Sequence, residues 1–161
     1  MSATVLYRIA SVLLVLFAIG HTVGFVKFKP STPEGAAVLE AMNNVHFPVK
    51  SAQFTYGQFY NGFGFFATAY LLFAAYLAWF LGNLASRNPE AIGSLAWAFV
   101  ALQVASMVLS WKYFLAPPVV FSGLLALCTG WAALLLQKSA GVASAAALQN
   151  SITVSSPRCN P

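Results

Sequence analysis

Charge is the first thing this sequence lacks. Its 161 residues include eight Lys and Arg and only three Asp and Glu, 7% in all. A soluble domain usually carries about 25%. So few charges cannot cover the surface of a water-soluble fold of this length. Cysteine is almost as scarce. Cys128 stands inside an apolar block and Cys159 three places from the end of the sequence, with no C-x-x-C, so neither a redox motif nor a disulfide framework is supported. Cys128 reads as a small packing residue, and Arg158-Cys159-Asn160-Pro161 falls one residue short of a prenylation box. Also missing are a Ser–His–Asp arrangement, a phosphate loop and a nucleotide fingerprint.

What is present is apolar. Hydrophobic residues make up 60% of the chain, concentrated in four blocks of membrane-spanning length. The first, about 5–26, is interrupted only by Arg8 and His21. As a helix it would be about 33 Å long, enough to cross a hydrocarbon layer of about 30 Å. Gly20-His21-Thr22-Val23-Gly24 is a poor small-x-small cleavage site, so a retained helix is expected rather than a signal peptide. The other blocks are about 57–81, 91–111 and 118–136. Pro117-Pro118 suits a helix start, and Asn88-Pro89 punctuates the short link before the third block. Trp79, Trp97, Trp111, Trp131, Tyr56, Tyr60 and Tyr113 lie mostly toward block ends, as interfacial aromatics do. Strands of an outer-membrane barrel are about 10 residues long and alternate apolar with polar. These blocks are longer and continuous, so helices are expected. The fold class is therefore all-α, a four-transmembrane-helix bundle with a short extramembrane helix between spans 1 and 2.

That short helix is read from Ser31-Thr32-Pro33-Glu34, with Ser31 as cap and Glu34 three residues on. It is expected from about Pro33 to Met42, ending at Asn43-Asn44. Residues 138–161 are rich in Ala and Ser and are expected to form a disordered tail.

In lipid, small residues mark the faces along which helices approach. Read as wheels, the second block aligns Gly57, Asn61, Gly64 and Thr68, and the fourth aligns Gly123, Ala126, Gly130, Ala133 and Gln137. The third carries a small stripe of Ser94, Ala98, Ala101 and Ala105 and, opposite it, a polar stripe of Gln103, Ser106 and Ser110, with Trp97, Val100, Val104 and Trp111 on a lipid-facing sector between them. The first contains the pair Gly20-x-x-x-Gly24.

Four crossings put the end of the first helix, the long link, the start of the second helix and the junction of the third and fourth on one side. That rim gathers His21, Glu34, Glu40, His46, Lys50, Gln58, Tyr60, Asn61, Ser110, Lys112 and Tyr113. The catalytic candidates are His21, Glu40 and His46, a histidine–carboxylate set of the kind acid–base chemistry uses. The ligand-binding candidates are Gln58, Tyr60, Asn61, Gln103, Ser106, Ser110 and Lys112. Haem ligation needs histidines facing each other inside a bundle, and zinc needs three or four spaced ligands. The sequence indicates no metal and no cofactor. The net charge of +5 is scattered singly between apolar blocks, which excludes a nucleic-acid face and suits span flanks. Arg8 and Lys112 read as snorkelling cations, and Lys112 as a partner for Glu40. Lys27, Lys29, Lys50 and Lys112 on one side balance Arg8, Arg87 and Lys138 on the other, so orientation is open.

Ala41-Met42-Asn43-Asn44-Val45-His46-Phe47, followed by Tyr56-Gly57-Gln58-Phe59-Tyr60-Asn61-Gly62-Phe63-Gly64, resembles a family of uncharacterised small bacterial four-span proteins. Gly20-His21-Thr22-Val23-Gly24-Phe25 resembles the end of their first helix. In size and layout the chain is loosely similar to DoxX-like membrane proteins, some of which are tied to quinone-linked oxidation, though no residue motif here carries that role. The resemblance implies the four-span architecture and, in a bacterium, the cytoplasmic membrane.

The leading functional expectation is a non-enzymatic binder of a partner protein or a hydrophobic small molecule, with the lipid bilayer, a homo-oligomer or a membrane protein as partners and no nucleic acid. One alternative is a small membrane enzyme acting on a lipid or quinone through the His/Glu rim. Another is an oligomeric proton or ion pathway.

Overall fold

A computed structural model describes residues 1–114 and 116–155. The elements are α1 (Ala3–Val26), α2 (Pro33–Asn44), β1 (His46–Val49), β2 (Ala52–Thr55), α3 (Tyr56–Arg87), a single 3-10 turn (Pro89–Ala91), α4 (Gly93–Tyr113) and α5 (Ala116–Ser155). α1, α3, α4 and α5 are long and apolar enough to cross a membrane. No more than 33% of any span's apolar window is buried within the chain. Leu127 at 73% exposure and Phe66 at 64% show how much apolar surface is left for lipid to cover. The helical form follows from the solvent, because a spanning segment must satisfy its backbone hydrogen bonds within itself. The chain is a multi-pass membrane protein.

Two compact units divide it. One combines residues 1–12 with the chain from Tyr76 onward, and the other is Leu13–Ala75. In the first unit α4 packs along α5. The contact surface of α5 is the glycine–alanine stripe expected from sequence. A Cβ on Gly123 would lie 3.6 Å from Met107 Sδ, one on Gly130 would lie 3.9 Å from Val100 Cγ1, and Ala133 is buried. α4 buries Ala96, Phe99, Gln103 and Ser110, spaced along one face. Its other stripe, Ser94, Ala98, Ala101 and Ala105, is exposed. At the head of α4, Gly93 has φ +32°, a conformation L side chains rarely adopt.

In the second unit α2 is capped by Thr32, not Ser31. Thr32 is extended (φ −119°, ψ 152°), and its Oγ1 accepts from the Gly35 amide at 3.1 Å, with Pro33 in the first turn. α2 buries no residue and runs two residues past the expected Met42. The chain then forms an antiparallel hairpin that the sequence reading did not contain, pairing His46 with Thr55, Phe47 with Phe54, Pro48 with Gln53 and Val49 with Ala52. Lys50 turns it with φ 56°. Phe47 anchors it, its ring centroid 4.8 Å from that of Tyr56 and 6.1 Å from that of Phe59.

Two helices outrun their hydropathy. α3 continues past 81 to Arg87, with Ser86 Oγ bonding the Asn83 carbonyl at 2.8 Å. α5 continues to Ser155, so helix replaces the expected disorder from 138 to that point. Alanine is the strongest helix former, and residues 140–147 include five of them. The ending Arg158-Cys159-Asn160-Pro161 lies outside the described residues.

Candidate functional site

The polar contacts of the Leu13–Ala75 unit centre on Gly64. His21 Nε2–H donates to the Gly64 carbonyl at 3.1 Å. Thr68 Oγ1 reaches the same carbonyl at 3.1 Å, and Thr22 Oγ1 reaches the Ala18 carbonyl at 2.8 Å. The two hydroxyls are themselves 2.8 Å apart. Two hydroxyls carry two protons for these three contacts, so at any moment one of the three lacks its proton. Three arrangements follow, according to whether the Gly64, the Ala18 or the inter-hydroxyl contact is the one without a proton. Gly64 is required by geometry. A Cβ there would sit 2.8 Å from Phe25 Cδ2 and Cε2, and the Phe25 ring is flanked by His21 at 5.3 Å and Phe65 at 5.1 Å. Of the expected stripe of Gly57, Asn61, Gly64 and Thr68, all but the exposed Asn61 are thus contact residues. At its start a Cβ on Gly57 would overlap Asn43 Oδ1 and lie 3.3 Å from the Met42 carbonyl. Gly20 and Gly24, by contrast, face open space.

Elsewhere in this unit the rim candidates make local contacts. Glu40 is exposed on α2, and His46 is exposed with Nδ1–H donating to the Asn44 carbonyl at 2.8 Å. Gln58 caps α3. Its Oε1 accepts from the Thr55 amide at 2.9 Å, and Thr55 Oγ1 accepts from the Gln58 amide at 3.1 Å, a reciprocal capping box. The signal was legible as T-x-x-Q ahead of an apolar run. Tyr60 and Asn61 are exposed. No three His, Cys, Asp or Glu side chains among the described residues are placed to hold a metal ion.

In the other unit Gln103 and Ser110 are buried, while Ser106 bonds the Leu102 carbonyl at 2.8 Å. The Lys112 ammonium sits over the Tyr113 ring, 5.1 Å from its centroid. A cavity of about 200 Å³ opens at the head of α4, lined by residues that include Glu90, Trp97, Leu136 and Gln137.

Two features went unread in the sequence. Along α3, Phe59, Phe63, Phe66, Tyr70 and Phe73 follow steps of four, three, four and three, and each is more than half exposed. That alternation is the 3.5-residue period of a helix–helix seam. Phe59 and Phe63 meet edge to face at 4.9 Å, and Phe66 and Tyr70 are 6.3 Å apart. The second feature is Arg8, whose guanidinium carbon lies 3.3 Å from the centroid of the Trp79 ring and whose Nη2 donates to Asn83 Oδ1 at 2.5 Å. No family model, curated protein or solved structure matches the chain.

Proposed function

We propose that this protein is a non-enzymatic membrane protein that binds a transmembrane helix of a partner along the aromatic face of α3. Tyr70 carries the reading. It is 68% exposed and lies about 21 Å of helical rise from the start of α3, inside the hydrocarbon. Its ring meets that of Phe66, and among the described residues its hydroxyl has no hydrogen-bond partner. Lipid tails offer none, and a polar group left unpaired in an apolar medium costs about 1–3 kcal/mol. A partner helix presenting an acceptor at that depth removes this cost.

The aromatic rings supply the rest. Lipid is as apolar as they are, so burial against a helix brings packing and directional ring contacts rather than a hydrophobic gain. The seam period lets one helix follow the stripe over two heptads.

A photo-crosslinking residue in place of Phe66 is expected to yield one protein adduct of fixed mass in the native membrane. The adduct should fall away when Tyr70→Phe is added, while the same probe at Leu127 on α5, 73% exposed, gives lipid adducts. Lipid adducts alone at both positions would overturn the reading.

A further inference from the structure

We infer that Arg8 is a binding site for a phosphate group, supplied by an anionic lipid headgroup. The observation is a cation built into the protein without a counter-charge. Arg8 is half-buried, stacked on Trp79 and bonded to Asn83. Both partners are neutral. Its Nε is buried and, among the described residues, has no hydrogen-bond partner. The whole chain has three carboxylate side chains, Glu34, Glu40 and Glu90, and among the described residues none pairs with Arg8.

The position is constructed and not incidental. Gly82 on α3 admits the side chain, since a Cβ there would lie 3.5 Å from Arg8 Nε, 3.4 Å from Tyr7 Cβ and 3.4 Å from the Thr4 carbonyl. Trp79, Gly82 and Asn83 thus form one wall on successive turns of α3, holding the guanidinium plane fixed. A fixed planar fork is what bidentate phosphate recognition uses, and a lysine ammonium does not replace it.

Depth selects the source. Arg8 is five residues from the first residue of α1 and Asn83 four from the last of α3, which places both within about 8 Å of a helix end. Arginine near the end of a span extends to the headgroup layer. There phosphate is the abundant anion, already at high local concentration, and the Nη hydrogens left over from Asn83 are the donors that would meet it.

Native mass spectrometry of the purified full-length protein tests the inference, with equimolar phosphatidylglycerol and phosphatidylcholine, or with inorganic phosphate alone. Phosphatidylglycerol is expected to be retained about tenfold more than phosphatidylcholine. Arg8→Met should abolish the preference and Arg8→Lys should reduce it several-fold, with helicity checked by circular dichroism. If inorganic phosphate binds in an Arg8-dependent way and displaces the lipid, the phosphate site stands and its source is the free ion. Equal retention of the two lipids, with no Arg8-dependent binding of inorganic phosphate, overturns the inference. So does an undiminished preference in folded Arg8→Lys, which also decides the matter should Arg8→Met fail to fold.

Discussion

Replacing Gly64 with leucine is expected to destabilise the protein by about 2 kcal/mol. The Phe25 ring lies where the new Cβ would go, 2.8 Å away, and it is held there between His21 and Phe65. Forcing a branched side chain into such a contact costs about 3 kcal/mol, the upper part of the range for overpacking. Leucine is the better helix former by about 1 kcal/mol, which offsets part of that cost. The same replacement at Gly62, which has no atom within 4 Å of a Cβ, should therefore leave stability unchanged or raise it. Equilibrium unfolding of both variants in the same micelles reads the contrast. Two variants of equal stability would mean that α1 and α3 do not meet at Gly64.

Tyr7→Phe is expected to act in the opposite sense, stabilising the protein by about 1–2 kcal/mol. Tyr7 is fully enclosed, and its hydroxyl is buried without a hydrogen-bond partner among the described residues. Phenylalanine keeps the ring and removes the group whose desolvation is uncompensated. Tyr7→Ala, which also removes the ring, should instead cost about 3–5 kcal/mol by leaving a cavity. The pair separates the packing of the ring from the penalty on its oxygen. A Tyr7→Phe variant less stable than the parent would show that the hydroxyl has a partner.

Much of the architecture was legible because membrane helices announce themselves by length. The four spans came from continuous apolar blocks, and the glycine stripes of α3 and α5 came from 3.6-residue spacing. Gly57, Gly64 and Thr68 on α3 and Gly123, Gly130 and Ala133 on α5 are contact residues, while Asn61 and Gln137 are exposed. The same reasoning erred where small residues face outward, at Gly20 and Gly24 and along Ser94, Ala98, Ala101 and Ala105. Small side chains permit close approach but do not require it.

Hydropathy marks the ends of apolar spans and not the ends of helices. It stopped at 81 and 136 because polarity rises there, whereas the helices continue through Leu, Ala and Arg residues with good intrinsic propensity. The hairpin was missed because the positive-φ turn is made by Lys50 and not by glycine. The Arg8 cradle could not be read at all. It joins residues 75 apart in sequence, and nothing in Asn83 alone distinguishes a partner for arginine from a polar residue near a helix end. The His21, Glu40 and His46 set rested on topology, which fixes a side of the membrane but not a distance.

Leu127 offers the sharpest check that lipid surrounds these helices. It is 73% exposed on α5, so the described residues leave most of it unshielded. In a background with Cys128 and Cys159 replaced by serine, Leu127→Cys in intact membranes should resist a water-soluble maleimide and react once the protein is unfolded in detergent. Rapid labelling in intact membranes would contradict a membrane-spanning α5 and the four-crossing fold with it.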